Sequence, residues 1–585
     1  MSLFRLLRDE SRALCARAYS LLASVGLVGV LSAQELQPPD AFQITDEAAP
    51  VRVEASFSGG CAQGVGLGWA RIDAQGLDAR PHELTVRITS PGHIRDGAVE
   101  SRRSFTLGAG GTARWFLPVS VPPESARVQV VVDGESYVDR INFRRGRGHV
   151  CLFVSDVAGA APLAAAVLEG LPTETPGRPP QLCAVGSDGV PADWRLYTSF
   201  SAVLVDGRAP LTRAVQEALR RYAFAGGRVV VSTPRGLPAG LLKEAVAELF
   251  GARPLGMGQV AAIGSLSSDR ARARQALAGL RPLGQGVWPA PSALFEEQRI
   301  EGLGRPPMST FLAIILLFAV LAGPVNYTVL RRRKRPMLAL LTVPALGFVT
   351  TAVILVYGIL HDGFGVRGVH RSWTLLDQAA REGAAISART LFAGLTPSDL
   401  AMGRESLLLS ERASLGDRDM PDRWRLESAA DGGLLDGRLL PSRIITPLVS
   451  AQQGPMSERL IVRLVGEAYE VAPESDLRLL GVSVLRDPQG DYWLGVDGRF
   501  RRAEAADGAQ MFAELRSAAC QIAVGDEDEQ SMTVLPSVLP EWGAPGSYAA
   551  RVQAAPWLDE HGFAVDYDGR EHWVFGRLAR EDFVR

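Results

Sequence analysis

The sequence predicts four structural parts in series: an immunoglobulin-like β-sandwich, an α/β domain, a two-helix transmembrane hairpin, and a C-terminal domain that is mainly β. Three observations predict them. Apolar and polar residues alternate with a period of two up to about residue 147, the pattern of strands buried on one face. Continuous apolar runs replace that alternation between 148 and 262, as parallel strands covered on both faces require. Residues 306–330 and 336–360 then carry no charge at all, and five cations stand between them.

The chain opens with Arg5, Arg8, Arg12 and Arg17, then an apolar run over 19–31 and the small pair Ser32-Ala33. That is the layout of a secretory signal over 1–33, cleaved after Ala33. Bulky Leu31 and acidic Asp9 and Glu10 keep an uncleaved signal anchor as the other reading. The sandwich is expected over 43–147. Val51, Val53, Ala55 and Phe57 alternate with Arg52, Glu54 and Ser56, and Leu84, Val86, Ile88 and Val128, Val130, Val132 repeat the pattern. Glycines at 108, 110 and 111 and the pair Asp133-Gly134 are turn signals. Several half-buried strands in about 100 residues suit an immunoglobulin-like sandwich.

The α/β domain is expected over 148–262, with apolar runs at 150–154, 202–205 and 229–231 and a helix over 163–171. Between the last two runs, Leu211, Val215, Leu219 and Tyr222 share one helical face. Arg213, Gln216, Glu217, Arg220 and Arg221 occupy the other, and Gly226-Gly227 ends the helix. This is a βαβ unit. Residues 263–305 read as a Pro/Gly-rich linker holding one helix at 268–280.

The hairpin consists of spans at 306–330 and 336–360 around a loop at 331–335. Each span has about 25 residues, enough to cross roughly 30 Å of hydrocarbon. Arg331, Arg332, Arg333, Lys334 and Arg335 mark the loop as cytoplasmic. Both soluble parts are therefore expected outside the cytoplasm, on a bacterial inner membrane. Abundant Gly, Pro, Arg and Ala with scarce Lys fit a GC-rich bacterial genome. Residues 365–585 return to β. A strand is expected at 460–465, a hairpin joins 477–486 to 491–497 through Asp487-Pro488-Gln489-Gly490, and an amphipathic helix follows over 508–519.

A net charge of −2 removes any electrostatic case for nucleic acid. The expected partners are the lipid bilayer and another envelope protein, and no cofactor is expected. Cys15, Cys61, Cys151, Cys183 and Cys520 have neither metal nor redox spacing. Cys151 and Cys183 sit in apolar runs and read as buried thiols, while disulfide pairing in an oxidising compartment stays open. Residues 526–529 are acidic but lack the glycine and spaced oxygens of a calcium loop, so they read as solvated. Asp566, Asp568, Glu571 and His572 form the densest titratable group. A hairpin turning at Asp568-Gly569 is the expected reading, and a metal site is the other. No GxSxG elbow, HExxH pair or Walker loop occurs.

Two resemblances add to this. Leu204-Val205-Asp206-Gly207, the helix after it, and the glycine-led strand ending at Ser232 resemble the glutamine-amidotransferase-like fold, a flavodoxin-like sheet, over about 110 residues. Active members of that family place a nucleophilic Cys at a strand-to-helix elbow and a His with a carboxylate later in the domain. Here Ser232-Thr233-Pro234 follows the strand, and no His occurs between His149 and His361. The resemblance therefore implies a catalytically inactive domain. The enzymatic alternative is an amidase or amidotransferase that uses Ser232 or Thr233 with a base from another domain. Gly323-Pro324-Val325-Asn326-Tyr327, just before the cations, resembles a family of uncharacterised bacterial membrane proteins. These join a signal peptide, a β domain, an amidotransferase-like domain and a GPVNY helix followed by basic residues, and the resemblance implies no established activity. Asn326 has two readings: a bond to a partner helix, or satisfaction of a carbonyl freed by a kink at Pro324, with Tyr327 in the interfacial belt. The expected function is a membrane-anchored envelope scaffold or protein-interaction protein. The alternatives are an accessory subunit of a transporter or the amidase just described.

Overall fold

The alternation in the first 150 residues becomes two facing sheets. The structure, a computed structural model, describes residues 41–44, 49–57, 66–91, 98–120, 125–142, 150–168, 180–232, 251–263, 300, 308–397, 400–402, 406–410, 424–429, 432–436, 440, 442–522, 532–533, 545–554 and 564–584. The signal segment, Cys15, Cys61, Thr233, the helix expected at 268–280 and the acidic run at 526–529 lie outside them. One sheet has the order β1 (Phe42–Gln43), β2 (Val51–Ser56), β3 (Leu67–Gly76), β6 (Thr112–Ser120). The other contains β4 (His82–Pro91), β5 (Ala98–Leu107), β7 (Ser125–Val132) and β8 (Glu135–Asn142). Val53, Ile72 and Leu117 from the first meet Val86, Ile88 and Val130 from the second in one core. The second sheet is extended by strands from beyond the apolar helical hairpin: β17 (Leu400–Met402), β19 (Trp424–Ala429) and β20 (Gly432–Asp436). β19 runs parallel to β5, with Trp424 opposite Val99 and Leu426 opposite Ser101.

Where the runs become continuous, the sheet is mostly parallel. Its order is β10 (Gln181–Val185), β9 (Val150–Val154), β11 (Ala202–Asp206), β12 (Arg228–Ser232), β14 (Gly258–Ile263), β13 (Gly251–Leu255), with only β13 antiparallel. Every residue of β9, β11, β12 and β14 is buried, which is why these strands carry no polar alternation. Helix α1 (Ala160–Leu168) covers one face. Helix α2 (Arg213–Phe224) covers the other; Thr212 caps it by accepting from the Val215 N–H at 3.3 Å. Its buried stripe is Val215, Ala218, Leu219 and Tyr222, close to the face read from the sequence. Gly258 starts β14 against the end of this helix. A Cβ there would lie 2.1 Å from the carbonyl oxygens of both Ala223 and Gly227, so only glycine fits.

The chain then runs through the hairpin helices: α3 (Met308–Val320), a π turn (Leu321–Val325), α4 (Asn326–Arg332) and α5 (Ala339–Asp362). Segments Thr310–Arg332 and Ala339–Tyr357 are long and apolar enough to cross a membrane, and neither is buried in the protein.

The remaining strands build a twelve-stranded sheet. Its order is β18 (Ser406–Ser410), β21 (Ile445–Pro455), β16 (Glu382–Ala393), β15 (Val366–Asp377), β30 (Val565–Arg577), β29 (Ser547–Val552), β24 (Leu479–Arg486), β25 (Tyr492–Val496), β26 (Arg499–Arg502), β23 (Ala468–Val471), β22 (Val462–Val465), β31 (Phe583–Val584). β24 and β25 form the hairpin expected across 487–490, where Asp487 Oδ1 accepts from the N–H groups of Gln489 and Asp491, both at 2.9 Å. The hairpin expected at Asp568-Gly569 is not formed. Both residues lie inside β30, parallel to β15, where Tyr567 faces Gly368 and Gly569 faces Val369. Asp568 is the extra residue of a bulge, and the adjacent glycine accommodates the bend.

One face of this sheet completes a core begun before the hairpin. Trp373, Leu375, Ile386 and Val449 join Val203, Leu219 and Tyr222 in a single cluster, so α2 lies between two sheets. Helix α6 (Ala505–Cys520) shares that face, and Trp373 Nε1 donates to the Ala519 carbonyl at 2.6 Å. Arg220 bonds Glu382 through both terminal nitrogens, Nη1 at 2.8 Å, and Arg195 Nη1 donates to the Ser406 carbonyl at 3.2 Å. The sandwich is held in turn: Trp69 Nε1 donates to the Gly189 carbonyl at 3.0 Å, and Arg71 and Arg114 reach Asp188 at 3.0 and 3.2 Å. The parts before and after the hairpin therefore form one interlocked body.

Candidate functional site

The singled-out residues of the hairpin come together near its basic turn. Pro324 has no N–H to give, and its ring would strike the carbonyl of residue 320 in a regular α-helix. The π turn over Leu321–Val325 widens the backbone there, and the Asn326 N–H reaches back five residues to the Leu321 carbonyl. Thr328 Oγ1 donates to the Pro324 carbonyl at 2.6 Å. With those carbonyls engaged, the Asn326 side chain turns to the second helix. Its Nδ2 donates to Thr342 Oγ1 at 2.9 Å, and that hydroxyl lies 3.2 Å from Asn326 Oδ1. The Asn326 side chain thus bonds the neighbouring helix of its own hairpin, and it is its backbone N–H that reaches the Leu321 carbonyl. At the far end, the rings of Phe311 and Tyr357 meet edge-on, 6.1 Å apart.

A groove of ≈ 420 Å³ opens beside the π turn. Ala322, Gly323 and Pro324 line it from the first helix and Ala339 and Val343 from the second, with the buried Leu330. Asn326, Tyr327 and Arg331 supply the polar edge. A Cβ added at Gly323 would meet nothing within 4 Å, so that glycine leaves space rather than making a contact. Arg331, Arg332, Arg333, Lys334 and Arg335 are all exposed, and among the described residues none of them makes an ion pair. Lys334 takes a left-handed backbone, φ 53°, to close the turn. Elsewhere the hairpin surface is apolar: Leu312, Leu316, Leu340, Leu341 and Phe348 are 66–81% exposed. A contiguous apolar surface of this kind requires a hydrocarbon or protein environment.

The α/β domain offers Ser232, at the C-terminal end of β12 with its Cα paired to Asp206. Ser232 is 1% exposed, and among the described residues its hydroxyl has no hydrogen-bond partner. Asp206 is occupied: it accepts from Ser155 Oγ at 2.9 Å and from Arg208 Nη2 at 2.8 Å. Burial alone would raise its pKa, but these bonds hold it below the ordinary carboxylate value. A carboxylate held charged against an arginine is a poor base for a serine, and no His occurs between His149 and His361. Cys151 and Cys183 are buried and form no disulfide among the described residues, and burial pushes Cys151 up to about 12, leaving it unreactive.

The titratable group around residue 570 is taken apart by the strand. Asp568 bonds Arg367 Nη2 at 2.9 Å, and Glu571 pairs with Arg371. His572 points to the opposite face, where its Nδ1 lies 2.8 Å from Ser372 Oγ. Among the described residues, no group of three or more His, Cys, Asp or Glu is placed to hold a metal. The sequence reading missed the buried polar cluster that His572 joins. His370 Nε2 lies 2.8 Å from Ser387 Oγ, and the two imidazoles stack edge-on at 4.7 Å. His370, Ser372 and Thr374, alternating along β15, were the available signal.

No known protein family matches the chain, and no curated protein does. Among solved structures, a carbohydrate acetylesterase from Xanthomonas citri is similar over 69% of this chain and 98% of its own, at 11% identity and a TM-score of 0.18. A likeness of that size carries neither fold nor function to this chain.

Proposed function

We propose that the protein is a non-enzymatic, membrane-anchored scaffold whose interlocked body stands on the outer face of a bacterial inner membrane and binds another envelope protein. The observation that carries this is the joining of sequence from both sides of the hairpin. β5 pairs with β19, Arg220 with Glu382, and Leu219 shares a core with Trp373. Two strongly apolar helices that leave and re-enter one body put that body on a single side, and the positive-inside bias favours the cytoplasm for the five-cation turn. The strand order β10-β9-β11-β12-β14 supports reading this domain as flavodoxin-like and amidotransferase-like. The two facing sheets at the start support an immunoglobulin-like module.

Photo-crosslinkers placed on exposed positions of the body, such as Glu135 and Arg499, should capture one specific envelope protein from intact membranes. Failure to recover any specific partner from either position counts against the scaffold. Capture only from the exposed hairpin face, for example at Phe348, favours the accessory subunit of a transporter. For the amidase reading, Ser232→Ala should leave the cellular phenotype unchanged, and loss of function at that one substitution revives it.

A further inference from the structure

The groove at the π turn combines features with one chemical sense. Its lining is small and apolar at Ala322, Gly323, Pro324, Ala339 and Val343, Gly323 leaves open space, and Arg331 also lines it. Gly323 and Arg331 are eight residues apart, roughly 12 Å along a helix. The groove thus joins apolar lining to a cation, placed where the helix reaches the turn. The turn adds four further cations, and among the described residues none of the five has an acidic partner. Five unpaired charges beside an apolar groove are complementary to a molecule with an anionic head and a hydrocarbon tail.

We infer that this groove binds one anionic glycerophospholipid, with its phosphodiester against Arg331 and the neighbouring cations and an acyl chain along Ala322, Gly323 and Val343. The Asn326–Thr342 bond fixes the two walls, so the groove exists before the lipid arrives. Tyr327, 62% exposed at the rim, offers a hydroxyl to the headgroup. The inference rests on the membrane reading above.

The full chain, purified in mild detergent, is exchanged into phosphatidylcholine bilayer discs with or without phosphatidylglycerol, and retained lipid is counted by native mass spectrometry. Phosphatidylglycerol should be retained over phosphatidylcholine. Arg331→Gln should weaken that retention about fivefold, as expected for one cation at an anionic surface. Gly323→Leu fills the groove with the turn intact and should abolish retention; Ala339→Leu on the facing helix should act likewise if the first variant fails to fold. Equal retention of both lipids overturns the proposal. So does retention unchanged in a folded groove-filling variant, which leaves only a polybasic surface, and so does a partner protein crosslinked at Gly323 in place of lipid. Alkaline extraction of the same chain from membranes keeps the two readings apart: release into the soluble fraction defeats membrane insertion itself, whereas an integral chain without bound lipid defeats only the groove.

Discussion

Single residues in this protein report on their surroundings through protons and through polar bonds between the hairpin helices. Burial pushes His572 down to about 4, with Arg570 and Arg389 adding to it, while the unfolded chain holds a histidine near its ordinary value. Between pH 6.5 and 4 the unfolded state therefore binds a proton that the folded state refuses. Stability present above pH 6.5 is lost as pH falls through that window, by about 3 kcal/mol at its foot. Denaturant unfolding of His572→Gln should show a flatter acid limb than the parent. His82 works in the opposite sense. Asp133 and Asp78, at 2.6 and 2.7 Å, raise its pKa, so its contribution is complete below about pH 6.5 and is lost as pH rises through the raised value. His82→Asn should remove that neutral-range slope and also flatten part of the acid limb, because His82 helps hold Asp133 and Asp78 below the ordinary carboxylate value. In the hairpin, Asn326→Leu should cost roughly 1 kcal/mol of helix–helix association in detergent. Thr342→Val should cost about the same, and the double variant little more, because one bond is lost in all three. Additive losses would mean that the two side chains act separately.

At the scale of elements, Arg220 on α2 and Glu382 on β16 test whether the α/β domain and the twelve-stranded sheet unfold as one. Both side chains are largely buried, and the guanidinium also bonds Glu217. A double-mutant cycle with Arg220→Ala and Glu382→Ala should give a coupling of about 1–3 kcal/mol, with one cooperative transition for both domains. Two separate transitions would show that the layers are independent. The elements differ in how far the sequence exposed them. The helix carrying Val215, Leu219 and Tyr222 was legible because its stripe, cap and glycine stop are local. The strands with Val53 and Val86 were legible because a half-buried strand must alternate, and the hairpin because thirteen or more turns of uncharged helix have few other uses. The pairing of Leu426 with Ser101 was not legible, since no local period encodes a partner more than 300 residues away. Asp568-Gly569 misled for a related reason: the same dipeptide serves a turn and a bulge, and only the opposing strand decides between them. The residues of the candidate site were visible as a motif, while the Asn326–Thr342 bond and the groove depend on how two helices face each other.

At the scale of the whole molecule, the proposed topology puts a single body, made of sequence from both sides of the hairpin, on the side of the membrane away from Arg331, Arg332, Arg333, Lys334 and Arg335. A cation moved to the bilayer centre costs roughly 2.5–3.5 kcal/mol on insertion scales, so a turn with five does not cross readily. The pairing of β5 with β19 and the shared core leave the two soluble parts no freedom to lie on opposite sides. The most direct test is a pair of reporter fusions whose enzyme is active only outside the cytoplasm. Fused after Arg585 the reporter should be active, and fused after Arg335 it should be silent; activity at Arg335, or silence of a stably produced fusion at Arg585, would contradict the account.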